Sequence, residues 1–116
     1  YPILRDVAAG KPYTRVGGGK FVHVDDVAQS IVRSAKQSTT DGQVYHLADC
    51  YARWSDWAHL CCEVTGVTVE IDDSSPAAPH NMFDTSALEQ DLEIPLTRGI
   101  AGIKTYLQEL HQAMQA

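Results

Sequence analysis

No stretch of this 116-residue chain approaches the roughly 20 consecutive apolar residues that span a bilayer, and no secretory leader is visible. Basic charge is scarce as well. Nine Lys and Arg face fifteen Asp and Glu, giving a net charge of -6 and a pI near 5.1. A nucleic-acid partner calls for a basic stripe that releases phosphate counterions, and an anionic membrane surface calls for the same sign of charge. Both partners are therefore excluded. Cysteine is limited to Cys50, Cys61 and Cys62, an odd number with two adjacent members, which makes a poor disulfide framework. Reduced cysteines acting as small hydrophobes in a cytoplasmic protein are the expectation. No CxxC-like pair exists to start a zinc site. Asp72-Asp73-Ser74 lacks the spaced oxygens and the glycine of a calcium loop.

A dinucleotide-binding loop is also missing. That loop needs G-x-G-x-x-G between a strand and a helix, so that backbone N–H groups meet the pyrophosphate. Gly17-Gly18-Gly19 is contiguous and precedes a β-type run, so it reads as a flexible turn.

What remains, at 44% apolar and 21% charged residues, is enough for one folded domain with one modest core. Residues 3–9 place Ile3, Leu4, Val7 and Ala8 on one helical face, and Gly10 and Pro12 stop the helix. The chain opens on Tyr1-Pro2 without Met, so it is expected to be processed or excised just upstream of this helix. Residues 13–16 read as a short strand and 20–24 as a second. Asp25 or Asp26 is expected to cap the next helix, the other use of such a pair being metal or acid/base chemistry. That helix should bury Val27, Ala28, Ile31, Val32 and Ala35 and expose Gln29, Arg33 and Lys36.

A polar loop, residues 37–42, leads to a strand at 43–48 with Val44 and Leu47 inward. Residues 49–53 read as the loop beyond that strand. Ligands of α/β sheets sit at that end, so Asp49 and Arg53 are candidate site residues by position. Ser55 is expected to cap a helix carrying Trp57, Leu60, Cys61 and Val64 on its inner face and ending at Gly66, with His59 toward solvent. Residues 67–71 read as a strand, followed by an acidic, proline-bearing loop and a short extended piece at 81–83. Asp84 or Ser86 is expected to start the next helix, with Ser86 to Glu89 fitting an S-x-x-E capping box and Pro95 blocking its continuation. The strongest periodicity, Ile100, Ile103, Leu107, Leu110 and Met114, predicts a docked terminal helix from about Thr97.

The stretch GGGKFVHVDDVAQSIVRSAK (17–36) resembles the extended short-chain dehydrogenase/reductase family, the NAD-dependent epimerase/dehydratases. The flanks agree. ILRDVAAGKP (3–12) is similar to that family's preceding helix, GQVYHLA (42–48) to its "vyNig" strand with His46 in place of Asn, and FDTSALEQDLEIP (83–95) to its "D.sKa...LG..P" run. The resemblance spans essentially the whole chain. It implies an α/β fold class, namely the C-terminal subdomain of a Rossmann-type enzyme, with short strands, about five helices, and residues 43–48 joining the parallel Rossmann sheet.

The family's catalytic Tyr-x-x-x-Lys is not present. Tyr1, Tyr13, Tyr45, Tyr51 and Tyr106 are followed four residues on by Arg5, Gly17, Asp49, Ser55 and Leu110. The resemblance therefore makes residues 1–116 a single substrate-side fragment of an epimerase, dehydratase or reductase, inert alone. NAD or NADP would be bound by the intact protein and not by this piece. Its partners would be its own Rossmann domain and a small-molecule substrate, with self-association through the uncovered edge of the 43–48 strand or through the Ile100–Met114 helix.

By analogy the substrate wall draws on Tyr13, Arg15, His23, Asp49 and Arg53. Nucleotide-sugar members hold the diphosphate with two arginines. Here those positions fall at Gly19 or Lys20 and near His80-Asn81-Met82, none of them arginine. A sugar or a smaller carbonyl or alcohol is the expected substrate. The competing reading is a non-catalytic NAD(P)-sensing or interaction module on the same scaffold, and a third is an unrelated small α/β domain that oligomerises through its last helix.

Overall fold

The structure is a computed structural model that describes residues 2–37, 40–76 and 84–115. Among the described residues, five helices and two short strands follow one another as α1 (Pro2–Ala8), β1 (Gly18–Phe21), α2 (Val24–Ala35), β2 (Cys50–Arg53), α3 (Trp54–Thr65), α4 (Ser86–Leu92) and α5 (Gly99–Gln115). The strands form a two-stranded antiparallel sheet in which Gly18 faces Arg53, Gly19 faces Ala52, Lys20 faces Tyr51 and Phe21 faces Cys50. Gly18 is required at this pairing, since a Cβ there would lie 2.5 Å from the Ala52 carbonyl oxygen and 2.8 Å from Arg53 Cα.

Helix α3 is the hub. Its apolar stripe falls where the 3.6-residue period puts it, with Ala58, Leu60 and Cys61 buried. Leu4 and Val7 of α1, Ala52 of β2, and Ile103 and Leu107 of α5 complete the core, with Trp57, Val64 and Leu110 against its margin. Each fully buried leucine or valine contributes about 1.5–3 kcal/mol relative to exposure. Gly66 ends the helix in a left-handed conformation with φ 74°. Burial pushes the Cys61 thiol up to about 11. All three cysteines are free.

The N-terminus of α3 is held differently from expectation. The cap is Arg53, not Ser55. Asp56 accepts a hydrogen bond from the Arg53 backbone N–H at 2.8 Å and pairs with its guanidinium at 2.9 Å. Ser55 instead lies buried in the helix's first turn, 1% exposed.

A second, smaller cluster gathers Leu88 and Leu92 of α4 with Ile94, flanked by Tyr45, Leu47 and Leu96. Residues 43–48 form no strand, since no backbone ladder lies beside them. Leu47 packs inward, but Val44 is 78% exposed rather than core. Residues 13–16 and 67–71 are not strands either. They meet only in one parallel bridge between Tyr13 and Ile71, with Tyr13 N–H donating to Glu70 O and Asp72 N–H to Tyr13 O. Residues 50–53, expected as a loop, are a strand instead, and β1 begins two residues before the run at 20–24.

Helix α2 departs most. Its buried residues are Asp26 and Ser30, while Ile31 and Val32 are 63% and 51% exposed and Ala28 and Ala35 are also exposed. Arg33, expected outward, donates to the Leu92 and Glu93 carbonyls at 2.7 and 2.9 Å and so caps the C-terminus of α4. Helix α4 starts where the sequence indicates, with Asp84, one of the two expected starts, accepting from Ser86 N–H at 2.9 Å, and without the capping box. The extended piece expected at 81–83 and the second arginine position at 80–82 lie outside the described residues.

The molecule is a slab of 50 × 37 × 18 Å with a radius of gyration of 16.6 Å. A compact chain of this length has about 13 Å. No described helix is long and apolar enough to cross a membrane.

Candidate functional site

A cavity of about 340 Å³ opens where the end of β1, the start of α2, the start of β2 and the first turns of α5 converge. Phe21, Trp57, Ile103 and Tyr106 supply its apolar walls, and His23, Asp49, Cys50 and Arg98 its polar ones. Phe21 is held by aromatic edges, its centroid 5.0 Å from Trp57 and 5.5 Å from Trp54.

Each polar group owes its position to an element boundary. His23 is the N-cap of α2, and its Nδ1 accepts the Asp25 N–H at 3.0 Å. An imidazole therefore does the work expected of Asp25 or Asp26. Asp49 Oδ2 accepts the Gly99 N–H at 2.8 Å, placing a carboxylate at the positive end of α5. Asp26, freed from capping, is 7% exposed and receives the Arg98 Nε–H at 3.0 Å. This ion pair ties α2 to α5. Gly102 makes room for it, since a Cβ there would lie 2.6 Å from Arg98 Cβ. Burial, reinforced by Asp49, raises the Cys50 thiol and keeps it neutral.

Of the five residues singled out from sequence, His23 and Asp49 line this cavity and the other three do not. Tyr13 is buried beside the Ile71 bridge, and burial pushes its phenol up, with Arg15 opposing in part. Arg15 lies over Trp54, 4.1 Å from the ring centroid. Arg53 is committed to Asp56 and to the carbonyls of Asp73 and Ser75 at 3.3 and 3.2 Å, which fasten the following loop to the start of α3. The Asp56 carboxyl is held below its ordinary range first by the Arg53 hydrogen bond. Sequence reasoning missed Arg98. The available signal was a lone arginine beside Gly99 and Gly102, at the start of the most periodic helix. No cluster of three or more metal-ligating side chains exists among the described residues.

No family model matches the chain, and no curated protein does. Among solved structures, the chain is similar to the UDP-glucuronic acid 4-epimerase from Bacillus cereus, determined in complex with UDP-glucuronic acid and NAD. The likeness has a TM-score of 0.64 at 19% identity and covers 93% of this chain. It spans 38% of the epimerase chain, so what the two share is the fold of a part of that enzyme.

Proposed function

We propose that this chain is the substrate-side portion of an NAD(P)-dependent epimerase, dehydratase or reductase, and that it completes an active site whose cofactor domain is contributed by other sequence. The observation that carries the reading is the fold likeness over 93% of the chain to part of an NAD-complexed epimerase. Two features support it. The slab is less compact than a self-sufficient domain of its length, with a radius of gyration of 16.6 Å against about 13 Å. Its uncovered apolar residues, Val24, Ile31, Val32 and Val44, are 51–78% exposed on α2 and the 43–47 segment, where a further layer would bury them. Without that layer the same surface drives self-association.

In this reading the cavity with His23, Asp49 and Arg98 forms the substrate wall. The hydride chemistry belongs to the nicotinamide, whose binding loop this chain lacks. The neighbour's printed substrate is a nucleotide sugar acid. The absence of arginine at Gly19 and Lys20 favours a sugar or a smaller carbonyl or alcohol here.

The test is to read the coding sequence upstream of Tyr1 and assay the full-length product with NAD(H) and NADP(H). A Tyr-x-x-x-Lys and a glycine-rich βα turn upstream, with cofactor-dependent turnover, are expected. An unrelated upstream domain, or turnover by the 116 residues alone, overturns the proposal.

A further inference from the structure

We infer that the cavity between β1, β2, α2 and α5 binds a neutral carbonyl compound with an aromatic body. Its volume of about 340 Å³ is that of a small-ligand site. The shape of the ligand follows from Phe21, Trp57 and Tyr106, whose rings pack best against another flat ring.

The charge of the ligand follows from how the polar groups are already spent. Arg98 gives its Nε–H to Asp26 at 3.0 Å, so its positive charge is balanced by a buried carboxylate. Its terminal NH₂ groups have no hydrogen-bond partner among the described residues and remain as donors. His23 accepts at Nδ1 from Asp25 N–H, which places the neutral ring's proton on Nε2 and makes that nitrogen a second donor. Asp49 uses Oδ2 on Gly99 N–H and brings its negative charge to the same wall. The cavity thus offers hydrogen-bond donors without net positive charge. A carboxylate meets those donors but is repelled by Asp49. A hydrocarbon leaves them unpaired. A carbonyl oxygen accepts from them at no cost in like-charge repulsion.

The inference deepens the proposed function and rests on it for its biological meaning, yet its test requires only this chain. The full 116-residue chain is titrated with acetophenone, toluene and benzoate, following the indole N–H resonances of its two tryptophans by ¹H–¹⁵N NMR. Acetophenone is expected to move the Trp57 signal more than that of Trp54, which lies against Arg15, and to bind about tenfold more tightly than either competitor. Toluene binding as tightly removes the role of the donors. Benzoate binding more tightly reverses the charge argument. No movement of Trp57 at saturating acetophenone removes the site.

A variant pairing Asp26→Ala with Arg98→Ala removes the charged pair together with the Arg98 donors and leaves His23 as the remaining donor, so it should narrow the preference for acetophenone over toluene severalfold without changing toluene binding. If that variant does not fold, the three-ligand comparison on the native chain decides alone. Acetophenone binding together with a full-length protein that shows no NAD(P)-linked turnover would keep the pocket and discard the enzyme reading. Turnover without acetophenone binding would do the reverse.

Discussion

Helices α2 and α3 are each 12 residues long and each carries an apolar stripe at helical spacing, but only α3 buries that stripe. Around α3, residues from α1, β2 and α5 close a core in which Leu4, Val7, Ala52 and Cys61 have no exposure. Around α2, the residues turned inward are Asp26, Ser30 and the capping guanidinium of Arg33, while Ile31 and Val32 face out. Amphipathic patterning states that a face needs cover. It does not state that the cover lies in the same chain. The polar residues of α2 are engaged internally, with Arg98 and with the end of α4, so the helix is docked through its charged side.

The sharpest way to break this contrast is to truncate one side chain in each region. Leu107→Ala should cost about 2–5 kcal/mol in urea denaturation, and Ile31→Ala no more than about 0.5 kcal/mol. Equal losses would show that the α2 face is covered in solution, by a second copy or otherwise. Next in size, Arg98→Ala leaves the Asp26 carboxylate, whose side chain is 10% exposed, without its partner and should cost about 2 kcal/mol. Asp26→Ala combined with Arg98→Ala should recover part of that loss, and thermal unfolding of the three variants measures the coupling.

If the uncovered face is sticky, Ile31→Glu should raise the concentration needed for self-association several-fold in sedimentation velocity while leaving the melting temperature nearly unchanged. A native chain that stays monomeric at high concentration would remove that prediction.

The smallest expected effect depends on pH. Asp56, and likewise Asp72 and Asp84, are lowered from an ordinary value of 3.8 by hydrogen bonds made only in the fold. Because the folded-state values are depressed, the stability they contribute is full above that ordinary value and is lost as pH falls through the lower folded values. Asp56→Asn should flatten the fall in melting temperature below about pH 4, although Asp72 and Asp84 keep part of the slope. An unchanged acid profile would mean that the Arg53–Asp56 contact is not maintained in solution.

Much of the helical frame was legible from residues alone. The face of α3 and the Gly66 stop followed from spacing, because that helix finds its partners within the chain, whereas α5 buries Ile103 and Leu107 of its expected stripe and leaves Ile100 and Met114 40% exposed. The strands were not legible, for a physical reason. Strand identity is decided by a neighbour, and residues 43–48, with a strong β pattern, have none here, whereas residues 50–53 gain one in the glycine-bearing β1. The candidate site was half legible. His23, named by family analogy, and Asp49, named by its place beyond a presumed strand, both line the cavity. Arg53 was named by position and Arg15 by family analogy, and the structure spends both locally, on a helix cap and on an indole ring. Arg98 was missed because its importance comes from a buried aspartate 72 positions away in sequence, and the glycines beside it were the one local sign.

Cys61 has a further use. With its thiol at about 11 and no exposed surface, only about one molecule in a thousand carries the reactive thiolate at pH 8 even where a reagent could reach it. Cys50 and Cys62 are partly accessible. A brief pulse of alkylating reagent should therefore mark Cys62 first, Cys50 more slowly because burial raises its thiol, and Cys61 only when α3 lifts from α1 and α5. The chain thus carries a native stopwatch for the opening of its core, and slower marking of Cys61 after a cofactor-domain partner is added would register how far that partner braces the slab.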